Sequence, residues 1–240
     1  MTKKPMNDEA YFPSQSKYFA LEGLVGSGKT TCLNHLAFER DVCCVSEPVH
    51  LFERFQSHNP LALQYSDPLR NAVAAQLHIL HVSAAHYGQI PPADALLQDK
   101  IILSERSILS PKVFINANHR RGVFSDFTRD FLLRKLEDVT VDVRKPDAII
   151  YFDAPPYLCK ERIENRKREG EESACSEDFL DHLVWAHLDF IEYANIPVHK
   201  ISITLYSTEE QVVEEVKRVI FEENNDAEEG EGGPIMNELS

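Results

Sequence analysis

Residues 23–30 read Gly23-Leu24-Val25-Gly26-Ser27-Gly28-Lys29-Thr30, followed by Thr31. Every fixed position of the phosphate-loop pattern G-x-x-x-x-G-K-[ST] is filled. The chain has nine glycines, and Gly23, Gly26 and Gly28 crowd into this one segment. The chemistry asks for that. Backbone amides must turn inward around a polyphosphate, and side chains would block the approach. A helix starting at the lysine aims its positive N-terminus at the anion. In such a loop Lys29 reaches the β- and γ-phosphates and the Thr30 hydroxyl binds Mg²⁺. The expected phosphate site is therefore Gly23, Leu24, Val25, Gly26, Ser27, Gly28, Lys29, Thr30 and Thr31.

The flanks supply the context that a phosphate loop requires. Tyr18-Phe19-Ala20-Leu21 is a short apolar run and reads as a buried strand, and 29–38 has helix character. Further apolar runs at 42–45, 101–103 and 148–152 read as strands, and 198–205 fits a last one. Helical patterns fill 61–87, 107–118, 124–138, 157–169, 177–193 and 208–221. Strands alternating with helices imply an α/β fold with a parallel sheet covered on both faces. We expect five strands, and the domain spans 17–221. Residues 1–16 are polar and proline-bearing and read as a flexible leader. Residues 222–240 read as an acidic disordered tail.

Charge narrows the function. Lys+Arg is 25 and Asp+Glu is 39 in 240 residues, a formal net charge of −14. Seven of those acids lie in 222–240, so the remainder still carries −7. Such a surface argues against nucleic acid and against an anionic membrane as partner. No apolar run approaches the roughly 18 residues of a membrane span. The start lacks a signal peptide's apolar stretch. Five scattered cysteines without a CxxC pair suggest reduced thiols and a cytoplasmic location.

Four more constellations follow in chain order. Glu47-Pro48-Val49, with Phe52, comes just past the second strand. By itself Glu47 could be a plain acid at a helix N-terminus. Tyr65 and Asp67-Pro68 are followed by Gln76, eleven residues after the tyrosine. An amide there offers a donor and an acceptor to the edge of a base. Glu105-Arg106-Ser107 follows the third strand directly, where open α/β sheets bind ligands. Arg162, Arg166 and Arg168 precede Glu171-Glu172. Arginines so spaced can surround a phosphoryl group or simply form a solvated charged face.

With these motifs in this order, the chain resembles the deoxynucleoside kinase family, which includes deoxycytidine, deoxyguanosine and mitochondrial-type thymidine kinases, from Phe19 to about Phe221. The resemblance implies a P-loop kinase with a short arginine-rich lid, using ATP and Mg²⁺. It implies Glu47 as general base for the nucleoside 5′-hydroxyl and Arg106 at the 5′ region and phosphate. Glu105 would assist Thr30 with the metal, and Arg162, Arg166 and Arg168 would serve the ATP phosphates. Phe52, Tyr65, Gln76 and Phe114 would bind the nucleoside. The family's own spacing selects Glu171 as a second ligand of the sugar 3′-hydroxyl. Counting back from the helix at Phe179 selects Glu172, which we take, with a one-residue insertion before it. Relatives are usually homodimers.

Relatives that use deoxycytidine or deoxyguanosine carry an arginine and an aspartate where this chain has Ser83 and Pro111. Their absence leaves room for a 5-methyl group and favours thymidine, with deoxycytidine as a second substrate. A shortened turn at Ser110-Pro111 would place Ser110 as N-cap of the next helix. Two other enzymes remain open: a thymidylate-kinase-type nucleoside monophosphate kinase and a purine-preferring deoxynucleoside kinase. A GTPase-like switch would carry an Asn-Lys-x-Asp motif, and the sequence has none.

Overall fold

The computed structural model describes residues 16–92, 100–168 and 171–229. Five strands, β1 (Tyr18–Gly23), β2 (Val42–Val45), β3 (Ile101–Glu105), β4 (Ala148–Asp153) and β5 (Val198–Ser202), form one sheet in the order β2-β3-β1-β4-β5. All four pairings are parallel. The central strand has no polar alternation because both of its faces are covered. Tyr18, Phe19, Ala20 and Leu21 are fully buried, as are Ile149, Ile150 and Phe152 beside them.

The helices are α1 (Lys29–Leu36), α2 (Val49–Phe52), α3 (Pro60–Ser66), α4 (Pro68–Tyr87), α5 (Pro111–Arg120), α6 (Asp126–Thr140), α7 (Pro156–Arg166), α8 (Glu171–Ala174), α9 (Glu177–Glu192) and α10 (Glu209–Glu229). The single helix expected over 61–87 is two. Pro68 cannot donate a backbone hydrogen bond, and its ring drives Asp67 out of the helical region, to φ −147° and ψ 83°. Asp67 then caps the new helix, its Oδ1 accepting from the Arg70 amide at 3.3 Å. The helix expected from 107 starts later, at Pro111. β5 ends at Ser202 rather than 205.

α10 runs to Glu229, past the end expected at 221, so the first part of the expected tail is helical. Val213, Val216 and Ile220 hold it to the core. The expected leader, apart from Ser16, and the tail from 230 lie outside the described residues. No helix among the described residues is long and apolar enough to cross a membrane.

β1, β2, β3 and β4 end on the same side of the sheet, which brings Gly23, Ser46-Glu47, Glu105-Arg106 and Asp153 to one crest. The loop after β1 leaves no space for a side chain at Gly23 or Gly26. A Cβ on Gly26, whose φ is +81°, would meet the Cys159 carbonyl of α7 at 2.7 Å. Gly28, at φ 103°, is the N-cap of α1, and the helix opens on Lys29.

His187 of α9 is fully buried beneath the sheet, tilted against the Tyr151 ring with centroids 5.6 Å apart. Its Nδ1 donates to the Leu183 carbonyl at 2.8 Å, which leaves Nε2 as an unpartnered acceptor. Burial, together with the nearby Arg106 and Lys29 charges, pushes its pKa down to about 3. The unfolded chain takes up this proton near pH 6.5 while the folded chain refuses it, so stability falls as pH drops from about 6.5 towards 3. His187→Leu should flatten that dependence. Between pH 7 and pH 5, urea unfolding of the native protein should lose about 1–2 kcal/mol more than the variant does; equal losses would contradict a neutral buried His187.

Candidate active site

A cavity of about 720 Å³ opens over the crest of the sheet. It is lined by residues 25–32 of the phosphate loop and α1, by Glu47 and Phe52, and by Tyr65, Gln76, Glu105, Arg106 and Phe114. The arginines 162, 166 and 168 also face it. Gly23 and Leu24 lie beneath the loop, where their carbonyls accept from Lys29 Nζ at 3.2 and 2.8 Å. Ser27 Oγ accepts from the same ammonium at 3.3 Å. Burial, and then the Arg106 charge, pull the Lys29 pKa down to about 8. An anion at the loop would offset both effects.

At the end of β3, Glu105 Oε1 accepts a 2.7 Å hydrogen bond from Thr30 Oγ1. Its backbone carbonyl accepts from the Tyr87 hydroxyl at 2.9 Å. The next residue, Arg106, is 3% exposed and adopts the left-handed conformation, with φ 61°. A non-glycine residue pays strain there, and such strain collects at functional sites. Arg106 Nε lies 3.1 Å from Glu47 Oε1 and Nη1 lies 3.5 Å from Glu22 Oε2. The guanidinium also covers the Phe114 ring, 4.8 Å from its centroid. Burial pushes the Glu47 carboxyl up, Arg106 pulls it back, and Glu105 pushes it up again. The outcome is a carboxyl above the ordinary range, with its side chain 19% exposed to the cavity.

The lid departs from expectation. α7 ends at Arg166, because Lys167 takes the left-handed conformation, with φ 56°. Arg168 therefore lies beyond the helix instead of on its face. Arg162 stays on α7 and donates to the carbonyls of Gly26 and Ser27 at 3.4 and 3.3 Å. Past the turn, Glu171 comes back into the cavity. It is 2% exposed and accepts from Arg166 Nε and Nη2 at 3.1 and 2.5 Å and from Arg168 Nη1 at 3.2 Å. Glu172 is exposed and outside the cavity, and its carbonyl accepts from Lys160 Nζ at 2.7 Å. The structure thus brings Glu171 into the cavity and leaves Glu172, the expected residue, outside it. The spacing from Arg168 is kept, and no insertion before the glutamate is needed. Arg168 also pairs with Glu53 at 3.8 Å, tying the lid to the end of α2.

At the far end of the cavity stand Phe52, Leu61, Tyr65, Gln76, Ile79 and Phe114. Burial pushes the Tyr65 phenol above its ordinary range. Gln76 is 1% exposed and its Oε1 has no hydrogen-bond partner. Gln64, which the sequence reading did not single out, lines the same cavity with an equally unpartnered Oε1. Ser83 and Pro111 are buried, yet neither is among the residues lining the cavity. Ser110 stands at the N-cap of α5 without capping it. Its hydroxyl donates to Glu22 Oε1, and the Ser107 hydroxyl donates to the same oxygen at 3.2 Å. Glu22 also went unread in the sequence, because it sits inside an apolar strand.

Glu171 is the anchor for two lid arginines, whereas the Glu172 side chain holds nothing in the cavity. Glu171→Gln should speed trypsin cleavage at Arg166 and Arg168 by about fivefold or more, which corresponds to roughly 1 kcal/mol of local opening. Glu172→Gln should leave the rate unchanged. Equal rates in the two variants would contradict this placement.

The model of the deoxynucleoside kinase family matches residues 19–224. Human "Thymidine kinase 2, mitochondrial" is 28% identical over 192 residues, covering 77% of this chain and 68% of its own. A "Probable deoxycytidine kinase" of fowlpox virus is 30% identical over 191 residues, covering 78% and 77%. "Deoxyadenosine kinase" of Dictyostelium discoideum is 25% identical over 205 residues, covering 85% and 79%.

Proposed function

The chain belongs to the deoxynucleoside kinase family, and from that premise we propose that it transfers the γ-phosphoryl group of ATP to the 5′-hydroxyl of a pyrimidine deoxynucleoside, thymidine foremost. The observation that carries this reading is the Glu47–Arg106 pair. A carboxylate with a raised pKa stands 3.1 Å from a buried guanidinium, between the phosphate loop and a pocket that ends in a buried amide.

In this reading Glu47 accepts the proton of the 5′-hydroxyl as its oxygen bonds to the γ-phosphorus, and the bond from that phosphorus to the β,γ-bridging oxygen breaks to release ADP. Arg106 and the lid arginines meet charge that develops on the transferring oxygens. Lys29 and the loop amides hold the donor phosphates. Thr30 and Glu105 present hard oxygen donors side by side, a set that fits Mg²⁺, which keeps several waters and takes one or two protein ligands beside phosphate oxygens. The metal, when bound, neutralises phosphate charge. Tyr65 and Glu171 hold the sugar, and Phe52 and Phe114 flank the base.

Gln76 supports a pyrimidine because its amide matches N3 and O4 of thymine or N3 and N4 of cytosine. Around it, Phe52, Leu61, Ile79 and Phe114 supply no charge. Ser83 and Pro111 support thymidine less directly than expected, since they stand behind the lining and not in it. A monophosphate acceptor is disfavoured, because Glu47 stands where that acceptor's phosphate would need a cation.

One steady-state assay tests the reading. Coupled ADP release should show kcat/KM for thymidine at least equal to that for deoxycytidine, with deoxyguanosine and thymidine monophosphate poor. Glu47→Gln should fold, bind ATP normally and lose about 10²–10⁴-fold in kcat, the usual contribution of a general base. Turnover near that of the native protein would remove Glu47 from the chemistry, and preference for a purine would overturn the reading of the base pocket.

We also propose a homodimer. Phe127 and Phe131 of α6 are 79% and 40% exposed, and their rings stack 6.4 Å apart. Covering such a patch suits a second copy of this chain. Sedimentation should give twice the chain mass of 27.4 kDa, and Phe127→Asp with Phe131→Asp should return the monomer mass; a native monomer would contradict the proposal.

A further inference from the structure

Glu22 has no part in the chemistry described above, yet it is the most deeply buried carboxylate at the crest, with 0% exposure. It is the penultimate residue of β1, immediately before the phosphate loop, and its neighbours are unusually specific. Ser107 and Ser110 both spend their hydroxyl protons on Oε1. Ser110 makes no cap on its own helix, and its oxygen accepts instead from the Ser107 amide at 2.9 Å. Oε2 makes no well-aligned hydrogen bond and faces Arg106 Nη1 at 3.5 Å. Burial pushes this carboxyl up, while Arg106, the Ser110 and Ser107 hydroxyls and Lys29 pull it back. A carboxylate is costly to bury, and a purely structural position would be better served by an apolar side chain.

We infer that Glu22 is a positioning residue for Arg106: with Ser107 and Ser110 it forms a fixed anionic bracket that holds the guanidinium in the register where Nε faces Glu47 and the cavity. The geometry explains the bracket's parts. Arg106 leaves β3 with a strained left-handed backbone, so its local chain does not dictate where the side chain goes. Glu47 lies on the flank facing the substrate and would itself pull the arginine towards the cavity. A second carboxylate on the opposite flank balances that pull. The two hydroxyls prevent Glu22 from following the arginine, because they fix Oε1 while Oε2 stays free to face the charge. Ser107 and Ser110 belong to the turn that follows Arg106, so the residue being positioned and part of its bracket are carried on one short segment.

The inference rests on the proposed role of Arg106, and the test separates the two. It is a double-mutant cycle on kcat with Glu22→Gln, Arg106→Ala and both together. Glutamine can still accept from both hydroxyls, so the fold should persist, with a Tm close to that of the native protein. Glu22→Gln should lower kcat by about 10–100-fold, a loss expected from a misplaced catalytic group, and should change KM for ATP less than about twofold. In the Arg106→Ala background the same substitution should have no further effect on kcat, because nothing remains to position. Ser110→Ala, a milder change, should lower kcat severalfold in the native background and not at all beside Arg106→Ala. If Arg106→Ala alone keeps native turnover, the role of Arg106 fails and the bracket with it. If Arg106→Ala collapses turnover while Glu22→Gln and Ser110→Ala stay within twofold of the native protein, this inference alone is overturned. Additive losses in the cycle, or a loss that tracks Tm, would mean that Glu22 serves the fold and not Arg106.

Discussion

A guanidinium buried beside the active cavity is the constraint around which the crest of the sheet is arranged. Arg106 is 3% exposed, and leaving its charge unpaired there would cost several kcal/mol. Two carboxylates share the task, Glu47 at 3.1 Å and Glu22 at 3.5 Å, with the Phe114 ring face beneath. The three groups come from different places in the chain: Glu22 from β1, Glu47 from the segment after β2, and Arg106 from the end of β3. Their meeting requires β1 and β3 to be neighbours and β2 to flank β3, which is the order observed. A charge cluster of this kind does little for stability, and a well-packed apolar core could do better. What it supplies is geometry that is already in place before any substrate arrives.

The cavity changes character along its length. At the loop end the groups are cationic or hydrogen-bond donors, with Lys29 tethered to the loop's own carbonyls and Arg162 to those of Gly26 and Ser27. These bonds keep the cations from collapsing onto Glu47 and Glu105 while no phosphate is present. At the other end the wall is mostly apolar, broken by the Tyr65 phenol and by the amides of Gln64 and Gln76, whose Oε1 atoms lack partners. Each unmet buried acceptor costs about 1–3 kcal/mol. A ligand that reorients and pairs those amides regains part of that cost, so the strain favours polar-edged bases over apolar ones.

Much of this was legible in the sequence, for physical reasons. Strands β1 to β4 are built on short apolar runs, and β2 falls on the residues expected of it, whereas β5 at the sheet edge is mixed, Val-His-Lys-Ile-Ser. The phosphate loop is legible because backbone approach demands glycine, and Gly26 shows how little room there is. The helix break at Pro68 was available from proline chemistry but was masked by apolar spacing that continues on both sides of it. Glu171 was lost by counting back from the helix at Phe179, across the break between α8 and α9, whereas the count forward from Arg168 holds. Glu22 was hidden for a different reason. One charged residue inside a buried strand reads as noise until its partners are known, and those partners lie more than eighty residues away.

Ser110 shows how a correct local rule can carry the wrong meaning. Serine before proline at a helix start is a sound N-cap signal, and α5 does begin there. The hydroxyl nevertheless bonds Glu22 rather than the helix. A cap is worth about 1 kcal/mol, whereas a buried carboxylate oxygen left without donors costs more than a neutral one would. The proton goes to Glu22, and the oxygen, which a cap would use as acceptor, accepts from the Ser107 amide at 2.9 Å. The same comparison of magnitudes accounts for the left-handed backbone at Arg106. Strain of roughly 1–3 kcal/mol is smaller than the cost of an unpaired buried guanidinium, so the backbone yields and the ion pairs stay.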